Sequence, residues 1–391
     1  MKIGIVCYPT YGGSGVVATE LGKALAKKGH EVHFIAYSQP ARLYHFFDNV
    51  YYHEVGVFDY PLFEYPPYET ALASKLVDVI QFHRLDILHV HYAIPHASAA
   101  FLARTILYEK GIYTPIITTL HGTDITLVGK DSTYAPVVAF SINQSDGVTA
   151  VSDSLRKQTY EYFDIHNEIE AIPNFIDLDE FKKFNKDHFK KAIAPADERV
   201  LMHTSNFRQV KRIEDVIRIF HKVQQHLSAK LLLVGDGPER MKAEQLCREL
   251  GIAHDVRFLG KQDAVGELLA VTDLFLLPSE SESFGLAALE AMACEVPVIS
   301  TNAGGIPEIN INGQTGFMSN VGDVEDMAKN ALYILDNKER LQQFRNNALE
   351  QAKRFDISKI VPLYEQYYQK VLDNCRLCKQ NPPKKLQDKV F

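Results

Sequence analysis

At 391 residues, with 46% hydrophobic and 23% charged residues, the chain exceeds one ordinary core and predicts two globular domains. Its formal net charge of −7 lacks the basic excess that nucleic acid or anionic lipid selects, so neither a nucleic-acid partner nor a stable membrane association is expected. Five cysteines are too few for a disulfide scaffold at this length and point to a reducing, cytoplasmic setting.

The chain opens with Lys2-Ile-Gly-Ile-Val-Cys-Tyr8, a β-rich run that passes straight into glycines and reads as a buried strand, not a secretory signal. Gly12-Gly13-Ser14-Gly15 follows, then a helical pattern over residues 16–28 closed by Gly29. Further strands are predicted over residues 31–37, 87–91, 116–120, 147–151 and 170–172, separated by helix-sized segments. The longest apolar stretch, residues 97–108, is broken by Ser98, Arg104 and Thr105 and is too short to span a bilayer. Pro173-Asn174-Phe175-Ile176-Asp177 interrupts the alternation. It then restarts, with strands over 200–205, 230–234, 256–259, 274–277 and 298–301 and helices over 213–226, 239–250, 263–271 and 284–293. This is α/β architecture, with two Rossmann-like doubly wound domains. We assign residues 1–172 to the first, with a C-terminal helix over about 357–380 packing back on it, and 173–356 to the second; residues 381–391 form a tail. Ligands of open α/β sheets bind beyond the carboxyl ends of the strands, which predicts two domains facing across a cleft.

The motifs with chemical content all follow strands. Glycines at Gly13 and Gly15 let the backbone approach a ligand, and a helix start favours negative charge. The spacing loosely fits a dinucleotide fingerprint, but the second strand ends at Tyr37-Ser38-Gln39 with no ribose-binding acid, which disfavours an NAD enzyme. His121 and Gly122 close the fourth strand, where a histidine reaches the ligand side or is satisfied structurally. His89, His91 and His96 lie nearby, without a carboxylate or cysteine to complete a zinc set, and Cys375-x-x-Cys378 has no second pair. Asn206-Phe-Arg208-Gln-Val-Lys211-Arg212 sets three cations at a helix start, the wrong sign for the helix dipole and the right one for a diphosphate. Gly235-Asp-Gly237-Pro-Glu239 is a tight turn opening a helix. Glu282-Ser283-Phe284-Gly285-Leu286, with Glu290 beyond, joins carboxylates suited to sugar hydroxyls with the open N–H groups of a helix start. Ala303-Gly304-Gly305-Ile-Pro-Glu308 adds a further glycine turn.

Taken together, the glycine loop, Asn206–Arg212, Gly235–Glu239 and the Glu282-x7-Glu290 pair resemble the family-4 retaining glycosyltransferases of the two-Rossmann (GT-B) fold. Cys7–Gly22, His89–His96, Leu120–Thr126 and Ser205–Arg212 are similar to the members that glycosylate L-malate. The resemblance implies UDP-N-acetylglucosamine as donor and L-malate as acceptor, with no cofactor and no metal. It implies that Arg208 and Lys211 hold the diphosphate and Glu290 the ribose. Glu282 with the 283–286 backbone would hold the sugar and His121 would reach the reacting centre, with Gly13–Gly15 and Asn206 also on the donor. His121, Lys211, Arg208 and Glu282 are the expected catalytic set. Ser14, Tyr92, Thr123 and Arg156 are the candidates to bind the acceptor. A related transferase with a saccharide or lipid acceptor and a non-catalytic nucleotide-sugar sensor are the alternatives; the sequence leaves a homo-oligomer open.

Overall fold

A computed structural model describes residues 1–380 apart from 45, 59–60, 62–63 and 185–186; the expected tail over 381–391 and the side chain of Cys378 lie outside the described residues. The chain forms two compact units, Met1–Pro173 with the segment from Ser358 onward, and Asn174–Ile357.

The first unit carries seven strands, β1 (Lys2–Val6), β2 (Glu31–Ala36), β3 (Val50–Glu54), β4 (Ile87–His91), β5 (Ile116–Leu120), β6 (Gly147–Ala150) and β7 (Ile169–Ala171). They pair in parallel in the order β3-β2-β1-β4-β5-β6-β7. The second carries β8 (Arg199–Thr204), β9 (Ala229–Val234), β10 (Val256–Gly260), β11 (Leu274–Leu277), β12 (Val298–Thr301) and β13 (Gly316–Ser319), again parallel, in the order β10-β9-β8-β11-β12-β13. Each sheet thus reverses its strand order once, between β1 and β4 and between β8 and β11. Side chains at that switch point can enter the crevice the diverging crossovers leave.

Central strands read as unbroken apolar runs because both faces are covered: Ile3, Ile5 and Val6 in β1 and Leu231, Leu232 and Leu233 in β9 are fully buried. Leu72, Leu76, Val79 and Ile80 of the helix Tyr68–His83 pack with Ile35, Leu88 and Val90 in one core cluster. In the second unit Ile213, Val216, Ile217 and Phe220 do the same against Leu201, Leu231 and Leu233.

Two strands escaped sequence reading. β3, Val-Tyr-Tyr-His-Glu, is a half-exposed edge strand without an apolar run, and β13 is only four residues long. The first helix starts at Gly13 rather than residue 16, so the glycines are its opening turn. Ser152 caps the helix Asp153–Tyr162 by accepting from the Leu155 N–H at 3.0 Å.

The last helix, Ile357–Gln380, lies against the first sheet. Tyr368 Oη is 2.7 Å from His89 Nδ1, and Tyr367 Oη accepts from the Val148 N–H at 2.8 Å while donating to the Val148 carbonyl at 3.0 Å. His89 is wholly buried and burial pushes it down to about 3, so it is a neutral ring that needs a partner at each nitrogen; Thr119 Oγ1, 2.6 Å from Nε2, is the other. Tyr368→Phe strands one of those nitrogens at a cost of about 1–3 kcal/mol. Amide exchange in β4 and β5 is expected to accelerate roughly 5- to 150-fold, with β8–β12 unchanged; equal protection in both proteins would remove this helix from the first unit's stability.

Candidate active site

In the first unit, the loops after β1, β4 and β5 converge at the switch point. Gly15 is the tight position after β1: a Cβ there would lie 2.3 Å from the Thr10 carbonyl oxygen and 2.5 Å from that of Tyr8. No side chain fits, and the loop folds directly onto the helix start. After β4, Tyr92 takes the left-handed φ of 90°, a strained setting for a bulky residue that turns its ring back across the sheet edge. Its hydroxyl donates to Ser14 Oγ at 3.0 Å, and its ring centroid lies 5.2 Å from that of His121.

Asp124 ties these loops together. It is buried, and its carboxylate accepts from the Ala93 N–H (3.0 Å), the Gly122 N–H (2.9 Å) and the His121 N–H (3.3 Å). Burial raises Asp124 to about 6 against the lowering effect of those donors. His121 Nε2 lies 2.8 Å from His91 Nδ1, which fixes the ring and leaves the other nitrogen for a ligand. Burial, then the neighbouring histidine, drives His121 down to about 3 and His96 is brought to about 4 by burial, so both rings are neutral at physiological pH. His91 Nε2 and His96 Nε2 are buried without a hydrogen-bond partner among the described residues. Thr123 lies in the segment against which the helix bearing Arg156 packs, and Arg156 itself pairs with Asp153 at 2.6 Å.

The second unit builds its site from the loops after β8, β9, β11 and β12. Asn206 and Arg208 are exposed just beyond β8. Lys211 pairs with Glu282, which also accepts from Ser279 Oγ at 3.0 Å. The expected cluster of three cations is smaller in fact: Arg212, in a left-handed turn, is engaged by Asp215 at 2.5 Å, so its charge is matched within the helix's first turn. The loops are stitched by backbone bonds, Glu239 N–H to the Phe207 carbonyl (3.0 Å) and Glu280 N–H to the Val210 carbonyl (2.8 Å). Gly304 supports Glu282 from below; it has φ +58° and a Cβ would sit 2.0 Å from the Glu282 carbonyl oxygen. Gly285 precedes the helix Leu286–Ala293, on which Glu290 is buried.

The structure therefore brings together Ser14, Tyr92 and His121 in one unit, and Lys211 with Glu282 in the other. Sequence reading missed two contributors. His91 appeared only as a poor zinc candidate, although its place two residues after His89 on β4 puts both on one face. Asp124 was visible in the His-Gly-Thr-Asp motif but carried no assignment. A lysine beside a carboxylate and a histidine held neutral are suited to polar hydroxyls and a diphosphate rather than to hydride transfer.

The family Glycosyltransferase Family 4 matches residues 11–180, and Glycosyl transferases group 1 matches residues 184–351. The chain belongs to this glycosyltransferase family. It is 50% identical over 374 residues to the N-acetyl-alpha-D-glucosaminyl L-malate synthase of Bacillus anthracis, covering 95% of this chain and 97% of that protein. An uncharacterized glycosyltransferase of Methanocaldococcus jannaschii is 29% identical, over 80% of this chain and 84% of its own. Among solved structures, the fold matches sucrose-phosphate synthase from Thermosynechococcus elongatus (TM-score 0.80, 21% identity, 96% of this chain and 100% of that one). It also matches Anabaena HepE in complex with UDP and glucose (TM-score 0.78, 22% identity, 94% and 98%).

The buried histidines predict acid lability of the first unit. His121 and His96 have folded values below the ordinary 6.5, so their stabilisation is complete above pH 6.5 and is lost as pH falls toward about 3 and 4. Asp124 works against them: raised from 3.8 to about 6, it takes up its proton in the folded unit first and recovers part of that loss. His89 and His91, buried beside them, are depressed in the same way, so four histidines are opposed by one carboxylate and the first unit loses stability from pH 7 to 5, at up to roughly 1.4 kcal/mol per pH unit per net proton. Amide exchange in β4 and β5, corrected for intrinsic pH dependence, reads this; unchanged protection at pH 5 would contradict it.

Proposed function

We propose that this protein transfers N-acetylglucosamine from UDP-N-acetylglucosamine to the hydroxyl of L-malate with retention at the anomeric carbon, the first step of bacillithiol synthesis, in the cytoplasm. The supporting observation is the 50% identity to the Bacillus anthracis synthase along nearly the whole of both chains. No described helix is long and apolar enough to cross a membrane.

In this reading Arg208 and Lys211 bind the diphosphate and Glu290 the ribose. Glu282 accepts from sugar hydroxyls, with the Ser283–Leu286 backbone, Asn206 and Gly13–Gly15 completing the donor site. The pairing of Lys211 with Glu282, itself held by Ser279, supports the first of these roles: the ammonium is already placed, so little reorganisation accompanies the charge that builds on the leaving phosphate. His121, neutral and fixed by His91, offers one nitrogen beside the reacting sugar without adding charge. Ser14, Tyr92, Thr123 and Arg156 supply hydroxyls and a cation for malate. The bond from the anomeric carbon to the phosphate oxygen breaks on the face where the malate oxygen attacks. The new glycosidic bond forms, and the malate proton passes to the departing UDP. Protein cations carry the role a metal has in other transferases.

Lys211→Ala is expected to lower kcat by roughly two to three orders of magnitude, as for loss of one preorganised contact to developing charge; wild-type turnover in that variant would sink the assignment. Activity in EDTA should be undiminished. UDP release from UDP-N-acetylglucosamine, with and without L-malate, tests the whole reaction when product mass is read alongside. Malate-dependent release with an N-acetylglucosaminyl-malate mass is expected. Release driven by a saccharide or lipid acceptor instead would transfer the protein to that branch of the family, and binding without turnover would make it a sensor.

A further inference from the structure

At the β2–β3 margin of the first sheet, three imidazoles from three elements meet. His33 comes from β2, His53 from β3 and His83 from the last turn of the helix Tyr68–His83. One ring nitrogen of each lies within 4.8 Å of the other two. The ring centroids are 4.4 Å apart for His33 and His83, 4.9 Å for His53 and His83, and 5.2 Å for His33 and His53. We propose that His33, His53 and His83 form a binding site for a late first-row divalent transition ion, zinc being the reference case, distinct from the glycosyl-transfer site.

Two features distinguish this cluster from an incidental stack. His33 Nε2 is 2.9 Å from Glu31 Oε1, and Glu31 is held in turn by Lys2 at 2.9 Å. A carboxylate only accepts, so the proton of His33 sits on Nε2 and the Nδ1 lone pair points inward. This is the carboxylate–histidine arrangement that orients metal-bound imidazole. Inward lies His53 Nε2, 2.9 Å from that lone pair. Without an ion, His53 Nε2–H donates to it. With one, His53 moves its proton to Nδ1, two lone pairs face the ion, and the half-buried His83 turns to supply the third. Tetrahedral coordination at ~2.1 Å spaces its nitrogens by ~3.4 Å, within side-chain adjustment of the present spread. Three imidazoles leave a fourth position for water, and nitrogen ligands suit zinc, copper, nickel or cobalt over magnesium or calcium. The ion would fasten β3, an edge strand, to β2 and to the helix. It lies apart from the residues assigned to transfer, so metal-free turnover and this site are compatible.

The test uses the full chain, stripped with EDTA and titrated with zinc chloride by calorimetry and with cobalt(II) by visible absorption. One ion per chain with a Kd below roughly 100 μM is expected, together with cobalt d–d bands of four-coordinate intensity and no thiolate charge-transfer band. Glu31→Gln should weaken binding roughly 10- to 100-fold, and His53→Ala and His83→Ala should abolish it while malate-dependent turnover persists. Cys375→Ser with Cys378→Ser should bind as the parent does. No binding below roughly 100 μM, binding that survives both histidine variants, or binding lost with the cysteines would each overturn the proposal. If His53→Ala misfolds, His83→Ala, on a half-exposed helix end, decides alone.

Discussion

Every strand of both sheets runs the same way, and most of what the molecule can do depends on that constraint. A parallel ladder uses its hydrogen bonds evenly and needs a crossover after every strand, so all the strand-to-helix turns fall on one edge. Those turns hold the groups the ladder cannot satisfy, namely helix-start N–H groups and the glycines that let one loop touch the next. Gly15 against Thr10 and Gly304 against Glu282 show how close the contacts become. Polar residues that would be costly within the sheet are tolerated there, and the two units use the same edge for different chemistry.

The division of labour is electrostatic. The first unit assembles neutral groups, His91, His96 and His121, in a setting too dry for them to charge, and pins them with one buried carboxylate, Asp124. The second keeps its charges half-buried and matched, Lys211 with Glu282 and Arg212 with Asp215. A neutral, hydroxyl-rich surface suits a sugar and its acceptor, and a cationic loop suits a diphosphate.

Most of this was legible before the structure. Unbroken apolar runs such as Ile3–Val6 and Leu231–Val234 announce central parallel strands, and the glycine loops that follow mark the ligand edge. β3 and β13 were not legible because edge strands need neither two apolar faces nor length. The residue types of the site could be read, but not their partners. Lys211 and Glu282 are 71 positions apart, and only the register of β8 beside β11 brings their loops together. His33, His53 and His83 lay deeper still, since three histidines spread over 51 positions carry no spacing signal until the topology joins β2, β3 and the helix that follows.

The return of the last helix to the first sheet also sets an order of events during synthesis. His89 meets Tyr368 across 279 residues, and Val148 meets Tyr367 across 219. A ribosome that has just finished β7 has made every strand of the first sheet but not the helix that covers β4 and β6. The second unit, continuous from Asn174 to Ile357, has all its parts earlier than the first does. The amino-terminal unit is therefore the last to be completed, and its His89–Val148 face waits uncovered while the rest of the chain is translated.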